Sequence, residues 1–360
     1  MPNIPYTLNE FTIYNYQGIK ETTLKDLPSD ASWIFITGEN GIGKTSLLRA
    51  IAIGLYGDSY DEDSGKLQLL NKNRGSKIEL RVKRNNKRFW VAQNDEYQKI
   101  KVPVIAYGPI RIPSGAQRST TQSNIKSLFS SNGDLFDNFE FEIERLSYTS
   151  KDMFKEVTNF FLQLMDNIKE INVKDKKVVF IENDEPKVEK TSDQLASGNR
   201  MLLTWIGDML IRLGYDEYDD LSQIEGIVII DEFDLHLHPK WQKRLPKLLS
   251  QQFPKVQFIA STHSPIPLLG AVENTVVIKV DRSKEGGIVV KRWDDKIPVN
   301  RLLPNAIFDS PIFNLEDLIS SSISRDDLSK ILTEDNFAEA LFNFMLKEKV
   351  DKLKKKEDNE

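Results

Sequence analysis

From Ile229 to Gln242 the chain reads IIDEFDLHLHPKWQ, which sets two of its three histidines among three acidic residues. Carboxylates and imidazoles at this spacing have two chemical uses. On an extended segment alternate residues face one side, so His236 and His238 could meet one Zn2+ or Mn2+ with Asp231 or Asp234 nearby. Only one further histidine and no cysteine remain to complete such a shell. The other use is cleavage of a phosphoanhydride. The apolar run GIVII ending in Asp231-Glu232 is a Walker B pattern. In it Asp231 holds Mg2+ through water, and Glu232 orients and deprotonates the attacking water.

Phosphate chemistry needs a cradle, and the segment Gly38, Glu39, Asn40, Gly41, Ile42, Gly43, Lys44, Thr45, Ser46 supplies one. It fits G-x-x-x-x-G-K-[ST] and lies between an apolar strand, SWIFITG, and a helix, as that motif requires. Its small residues let backbone N–H groups wrap phosphates at a helix N-terminus, so residues 39–46 are the expected nucleotide contacts. Lys44 reaches the β and γ oxygens, and the Thr45 hydroxyl is placed for Mg2+. No Asn-Lys-x-Asp guanine reader is present, which makes ATP the expected nucleotide. Tyr14 and Tyr16 are candidates to stack on adenine, although a strand aromatic is more often core. One βα unit past Walker B, VQFIASTHSP ends a strand at His263, where an imidazole can contact the γ-phosphate.

These residues need elements to hold them. Residues 11–20 alternate like a half-buried strand, and Leu47, Leu48, Ile51 and Leu55 share one face of the helix after the cradle. Residues 77–91 read as a hairpin turning at Asn85-Asn86, and VPVIAYG as a short strand. Ser114–Gly133 is a loop by composition. A helical segment is expected from about Phe136 to Ile171, a strand pair over 171–190, and a second amphipathic helix after SDQLASGN. YDEYDDLSQIEG reads as an exposed acidic loop, and Pro239 as the first residue of a helix. The tail from Ser324, with Asp327 three residues on, reads as a charged helix that carries Phe337, Leu341 and Phe344 on one face.

At 39% hydrophobic and 29% charged residues, the chain is of a soluble globular kind. No membrane span or signal peptide is readable, and the absence of cysteine excludes disulfides. A cytoplasmic setting is therefore expected. A net charge of −5 leaves nucleic-acid binding to a local patch. The hairpin offers Lys77, Arg81, Lys83, Arg84, Lys87 and Arg88 against Glu79, either a solvated face or a track for a phosphate backbone.

Walker A, LASGN, DEFDLHLHP and STHSP, in that order, resemble the ATP-binding-cassette type of ATPase. LHLHP with THSP is similar to the soluble subgroup that contains OLD nucleases, Septu-type and retron-associated defence ATPases. The resemblance covers about residues 8–270. It implies an α/β P-loop NTPase of the ABC ATPase type with a helical insertion between Walker A and the signature motif and a small C-terminal helical region. The corresponding divisions are 1–113, 114–190, 191–300 and 301–360.

The resemblance further implies that Ser197, Gly198 and Asn199 of LASGN complete the ATP site of the opposite monomer. Two ATPs with Mg2+ would then be sandwiched in a head-to-tail homodimer. Ala196 departs from the family, which has serine there. Leu237-His238 occupies the D-loop position that crosses the interface, and Gln117 and Arg111 lie near the Q-loop. No Glu…Asp-x-Asp set follows His263, so the Toprim domain of OLD nucleases is not expected. The implied work is an ATP-driven dimeric switch that regulates an effector on another chain, a nuclease or toxin, in anti-phage defence. The alternative is a repair ATPase resembling RecF that clamps DNA.

Overall fold

A computed structural model describes residues 4–56, 76–84, 87–92, 102–113, 124–130, 134–136, 139–183, 188–283 and 287–294. Gln117, the turn at Asn85-Asn86, most of the 114–133 loop and the tail with Ser324, Asp327, Phe337, Leu341 and Phe344 lie outside these residues.

The chain enters as β1 (Tyr6–Tyr16) and β2 (Ile19–Leu24), then passes through β3 (Trp33–Thr37) into helix α1 (Lys44–Tyr56). The hairpin β4 (Lys77–Arg84) and β5 (Lys87–Ala92) precedes β6 (Val104–Tyr107) and the short parallel pair β7 (Arg111–Pro113) and β8 (Asp134–Phe136). Two helices follow, α2 (Phe139–Thr149) and α3 (Lys151–Leu164). They lead to β9 (Ile168–Lys174), β10 (Lys177–Glu182) and β11 (Glu189–Lys190). Helix α4 (Ser197–Arg212) then leads to β12 (Glu225–Ile230), α5 (Pro239–Gln252), β13 (Lys255–Ser261), the single turn α6 (Ile266–Leu269), β14 (Val276–Arg282) and β15 (Ile288–Arg292).

Strands that are apolar on both faces belong inside a covered parallel sheet, and that is where they lie. The central sheet has the order β15-β14-β3-β13-β12-β6, parallel except for β15. Alternation sorts its side chains onto two faces. Trp33, Phe35, Val228, Ile230, Phe258 and Ala260 join the apolar cluster formed with α2, α3, α4 and α5. Ile34, Ile36, Ile227, Ile229 and Ile259 join the cluster beneath α1 and the antiparallel sheet β2-β1-β4-β5. The four positions that define the apolar face of α1 are all buried in the latter.

Polar pins fix these layers. Trp33 Nε1 donates to Pro246 O at 3.1 Å and Ser250 Oγ at 2.8 Å, tying α5 to the sheet. The fully buried Gln257 accepts from Leu8 N–H at 2.8 Å and donates to Ala31 O at 2.9 Å, joining the two sheets. An unpaired buried amide would be costly, so such pairs specify register as well as packing.

Three local expectations are corrected. The helix expected from Phe136 to Ile171 is two helices, because Ser150 is extended (φ −150°) and caps the second by accepting from Met153 N–H. That second helix ends at Leu164, and Ile168 already begins β9. The acidic segment after α4 is not wholly exposed: Tyr215 and Leu221 are buried anchors of two short 3-10 turns.

Gly207 in α4 packs under Phe139, and a Cβ there would stand 2.2 Å from the ring Cγ. A helical Gly-to-Ala change ordinarily gains about 0.5–1 kcal/mol. Here overpacking opposes it by about 1–3 kcal/mol. Gly207→Ala is expected to lower the urea midpoint of unfolding at constant m-value.

Candidate nucleotide site

The parallel strands β3, β12 and β13 all end at one edge of the sheet, with β13 between the other two. Open α/β sheets bind ligands at such carboxyl ends. The cradle leaves β3, Asp231-Glu232 leaves β12, and Ser261-Thr262-His263 leaves β13. The spacing in sequence is thereby converted into contact.

The loop over Gly38–Gly43 uses left-handed backbone at Gly41 (φ 73°) and Gly43 (φ 116°). A Cβ on Gly38 would stand 2.6 Å from Val280 O, and one on Gly43 would stand 2.2 Å from Ile288 Cδ1. The loop therefore rests directly on the β14–β15 hairpin. Glu39, Asn40 and Gly41 are exposed, while Ile42, Gly43, Thr45 and Ser46 are half-buried. Lys44 is buried, and its Nζ donates to Gly38 O at 2.7 Å and Glu39 O at 2.9 Å. Burial lowers its pKa, opposed by Asp231, Asp234, Glu232 and Glu39. A phosphate would receive a cation already drawn into the loop.

Asp231 is the centre of the site. Its Oδ2 accepts from the Thr45 hydroxyl at 2.7 Å and its Oδ1 from the Ser261 hydroxyl. Ser261 Oγ in turn accepts from Glu232 N–H at 2.8 Å. A hydroxyl and a carboxylate in contact beside a phosphate loop form the hard-oxygen donor set that suits Mg2+ on a nucleotide. Thr45 and Asp231 would hold the ion. Bound there, it would neutralise phosphate charge.

Arg111 reaches the same point from β7. Its NH2 donates to Asp231 O and, at 3.0 Å, to Glu232 O, while Nε donates to Gly108 O at 3.2 Å. The expectation of a Q-loop phosphate or interface contact is not what this side chain does: it is only 8% exposed and grips backbone. Burial pulls its guanidinium down to about 10, resisted by the charges of Asp231, Asp234 and Glu232, which still leaves it cationic at neutral pH. Its grip falls on a strained spot, since Glu232 is left-handed (φ 49°).

The segment after Glu232 is a run of turns, closed by Leu235 N–H to Glu232 O at 3.1 Å and Leu237 N–H to Asp234 O at 3.2 Å. It is not extended, and His236 has a φ of 62°, so the shared face that a metal at His236 and His238 requires does not form. Asp234 is buried and serves His263 instead. Its Oδ2 lies 3.2 Å from His263 Nδ1, and its Oδ1 accepts from the Thr262 hydroxyl at 2.5 Å. The ring is thus held by Nδ1 with Nε2 left for a phosphate. His238 is exposed and caps α5, its Nδ1 accepting from Lys240 N–H at 3.3 Å.

The signature segment stands on the surface. Helix α4 starts at Ser197, two residues before Asn199, and Ala196 gives it no side-chain cap. Ser197 is exposed and the space around Gly198 is open. Asn199 differs: its side chain is buried and donates to Asn167 Oδ1 at 2.9 Å, so it supports the turn after α3. One residue links this helix to Walker B. Tyr107 O accepts from Asp231 N–H at 2.8 Å, and the Tyr107 hydroxyl donates to Asp208 of α4, also at 2.8 Å.

Tyr16 is fully buried, and burial pushes its phenol up to about 12. It is core rather than an adenine platform. Tyr14 is half-buried and bonds Glu21, which raises its phenol. On the hairpin, Arg81 pairs with Glu10 at 3.3 Å, Lys77 with Glu79 at 2.6 Å, and Lys83 donates to Ser29 at 2.7 Å. Two of its cations are thus paired with carboxylates, and a third with a hydroxyl. Sequence reasoning missed Ser261 as a site residue, and for Arg111 it named a phosphate or interface contact rather than the grip on the Walker B carbonyls. A hydroxyl ending the otherwise apolar VQFIAS was a usable signal for the first; for the second, nothing local pointed to carbonyls over a hundred residues away.

Arg111→Met would take the side-chain donor from the Asp231 and Gly108 carbonyls, at about 1–3 kcal/mol each, while Glu232 O keeps Leu235 N–H. It is expected to lower turnover about 10- to 100-fold with little change in nucleotide affinity, read by phosphate release and by titration with a fluorescent ATP analogue.

Residues 34–266 match the family described as "AAA domain, putative AbiEii toxin, Type IV TA system". Septu protein PtuA of Bacillus mycoides (strain KBAB4) is 26% identical over 86% of this chain and 45% of its own length. Septu protein PtuA of Bacillus thuringiensis is 25% identical over 81% of this chain and 78% of its own. The Retron Vc95 probable ATPase of Vibrio cholerae serotype O1 biovar El Tor is 40% identical over 23% of this chain and 17% of its own. The chain thus spans under half of the first Septu relative and a small part of the retron ATPase. Among solved structures, the SMC head domain from Thermotoga maritima aligns with 79% of this chain and 98% of its own at 12% identity and a TM-score of 0.42. Among the described residues no helix is long and apolar enough to cross a membrane. The chain belongs to this AAA-domain family, as an α/β domain with a P-loop, and is similar to the Septu and retron ATPases.

Proposed function

We propose that this protein binds and hydrolyses ATP with Mg2+ and uses the cycle to switch a head-to-tail homodimer that regulates an effector on another chain. The observation that carries the reading is the contact of Thr45, Asp231, Ser261 and Glu232 at one sheet edge. Phosphate chemistry needs little covalent help from protein, only placement and charge. Lys44 and the loop amides hold the β and γ oxygens. Glu232, whose carboxylate is half-buried beyond Asp231, takes a proton from water as that oxygen attacks the γ-phosphorus and the bond to the bridging oxygen breaks. Asp234 keeps the His263 ring turned to the γ-phosphate.

The dimer follows from what the monomer leaves outside. Ala196 and Ser197 at the uncapped start of α4 are exposed, as is His238, and Gly198 is half-buried with open space where a Cβ would stand. Backbone N–H groups and a positive helix end suit the γ-phosphate of a second copy. With alanine at position 196, that contact rests on backbone and Ser197. Likeness to the Septu and retron ATPases supports an anti-phage setting, with a nuclease or toxin as the regulated partner. The DNA-clamp alternative draws less support, because Arg81, Lys77 and Lys83 are engaged within the chain.

Glu232→Gln keeps size and hydrogen bonding but removes the base, and is expected to lower kcat by about 100-fold or more. ATP binding and ATP-dependent dimers should persist, as read by phosphate release and analytical ultracentrifugation. Turnover at the wild-type rate in this variant would sink the assignment.

A further inference from the structure

Two segments lead from the proposed γ-phosphate toward the second site: residues 262–264, which carry His263, and the turn 234–237, which ends at His238. Asp234 joins them near the phosphate. A second joint lies deeper. Gln242, on the first turns of α5, is buried. Its Nε2 donates to Asp234 O at 3.1 Å and to Leu237 O at 3.0 Å, the carbonyls at both ends of the turn. Its Oε1 accepts from the Ser264 hydroxyl at 3.0 Å. Ser264 Oγ accepts from Ile266 N–H at 3.2 Å, and Ser264 N–H donates to Thr262 Oγ1 at 3.0 Å.

The amide thus uses both donors and its acceptor within one closed set. Its orientation is forced, since a flipped amide would aim Oε1 at two carbonyls. Small fully satisfied networks of this kind are rigid. Such a joint ties residues 262–264 to the 234–237 turn through one side chain.

We infer that Gln242 is a positioning residue that transmits the engagement of His263 by nucleotide to Leu237-His238, at the surface offered to a second copy. The inference rests on the nucleotide reading above and assigns a route between its two sites. Gln242 touches neither substrate nor reacting atoms; it acts through the two segments it holds.

Gln242→Glu tests it, because the shape and the acceptor for Ser264 remain while both donors are lost and a carboxylate faces two carbonyls. Ser264→Ala breaks the other half of the joint at a half-exposed position, and serves if the first variant folds poorly. Hydrogen–deuterium exchange is followed on the full chain with Mg2+ and the non-hydrolysable analogue AMP-PNP. In wild type the analogue should slow exchange severalfold in peptides covering 38–46 and in those covering 234–238. In both variants protection of 38–46 should persist while that of 234–238 is lost.

A merely structural role would raise exchange of the turn equally with and without nucleotide. Protection of 234–238 that survives in both variants, or that never arises in wild type, overturns the proposal. Absence of protection at 38–46 in wild type overturns the nucleotide reading and this inference with it. Steady-state kinetics separates hydrolysis from coupling: Gln242→Glu should lower kcat at unchanged KM. A wild-type protein that releases no phosphate yet shows the exchange pattern would overturn hydrolysis while leaving the joint standing.

Discussion

The Asp231 carboxylate is the constraint on which the rest of the molecule converges. It is almost wholly buried, and its oxygens are engaged by two hydroxyls from different elements, Thr45 in the first turn of α1, which follows β3, and Ser261 at the end of β13. A buried carboxylate is tolerable only when hydrogen-bonded or paired. Three parallel strands must therefore finish in register, which the ladders Ile259↔Ile34 and Ile229↔Ile259 impose just behind the site. The apolar faces of those strands are sorted so that helices cover one side and the antiparallel sheet the other. Packing is thus the means by which two hydroxyls reach one carboxylate.

Around that point the backbone is held in conformations it would not choose freely. Glu232 and His236 are left-handed without being glycine, and each such residue costs of order 1–3 kcal/mol. The cost is met by neighbours that leave little freedom: Arg111 on the carbonyls of Asp231 and Glu232, Ser261 on the Glu232 amide, and Phe233 packed edge-on against Trp33 and Phe35. Arg111 is itself desolvated, so it stabilises the turn only because the carbonyls and nearby carboxylates surround it.

Much of this was legible in the sequence, and the reasons are physical. The cradle, α1, GIVII and VQFIAS carry strong local signals: glycines where φ is positive, a one-sided apolar helix and strands buried on both faces. They fix the order of the central elements and the Thr45–Asp231 meeting. Contacts made by tertiary placement were not legible. Arg111 lies over a hundred residues from the carbonyls it grips, and no periodicity announces such a pairing. The metal alternative at the histidine pair fails for a related reason. Spacing two residues apart means a shared face only on an extended chain, and the turns at Glu232 and His236 remove that premise. Tyr16 shows the converse, an aromatic on a strand whose burial decides for the core, the commoner role of such residues, over adenine stacking.

Tyr107 holds the Asp231 amide through its carbonyl and Asp208 of α4 through its hydroxyl. That residue joins the strand end that carries Asp231 to the helix whose start the proposed dimer would lend to a second nucleotide. That link is a property of the folded protomer, set before any partner arrives. Two copies would therefore meet as prefabricated halves, each carrying the gauge to which the other must fit.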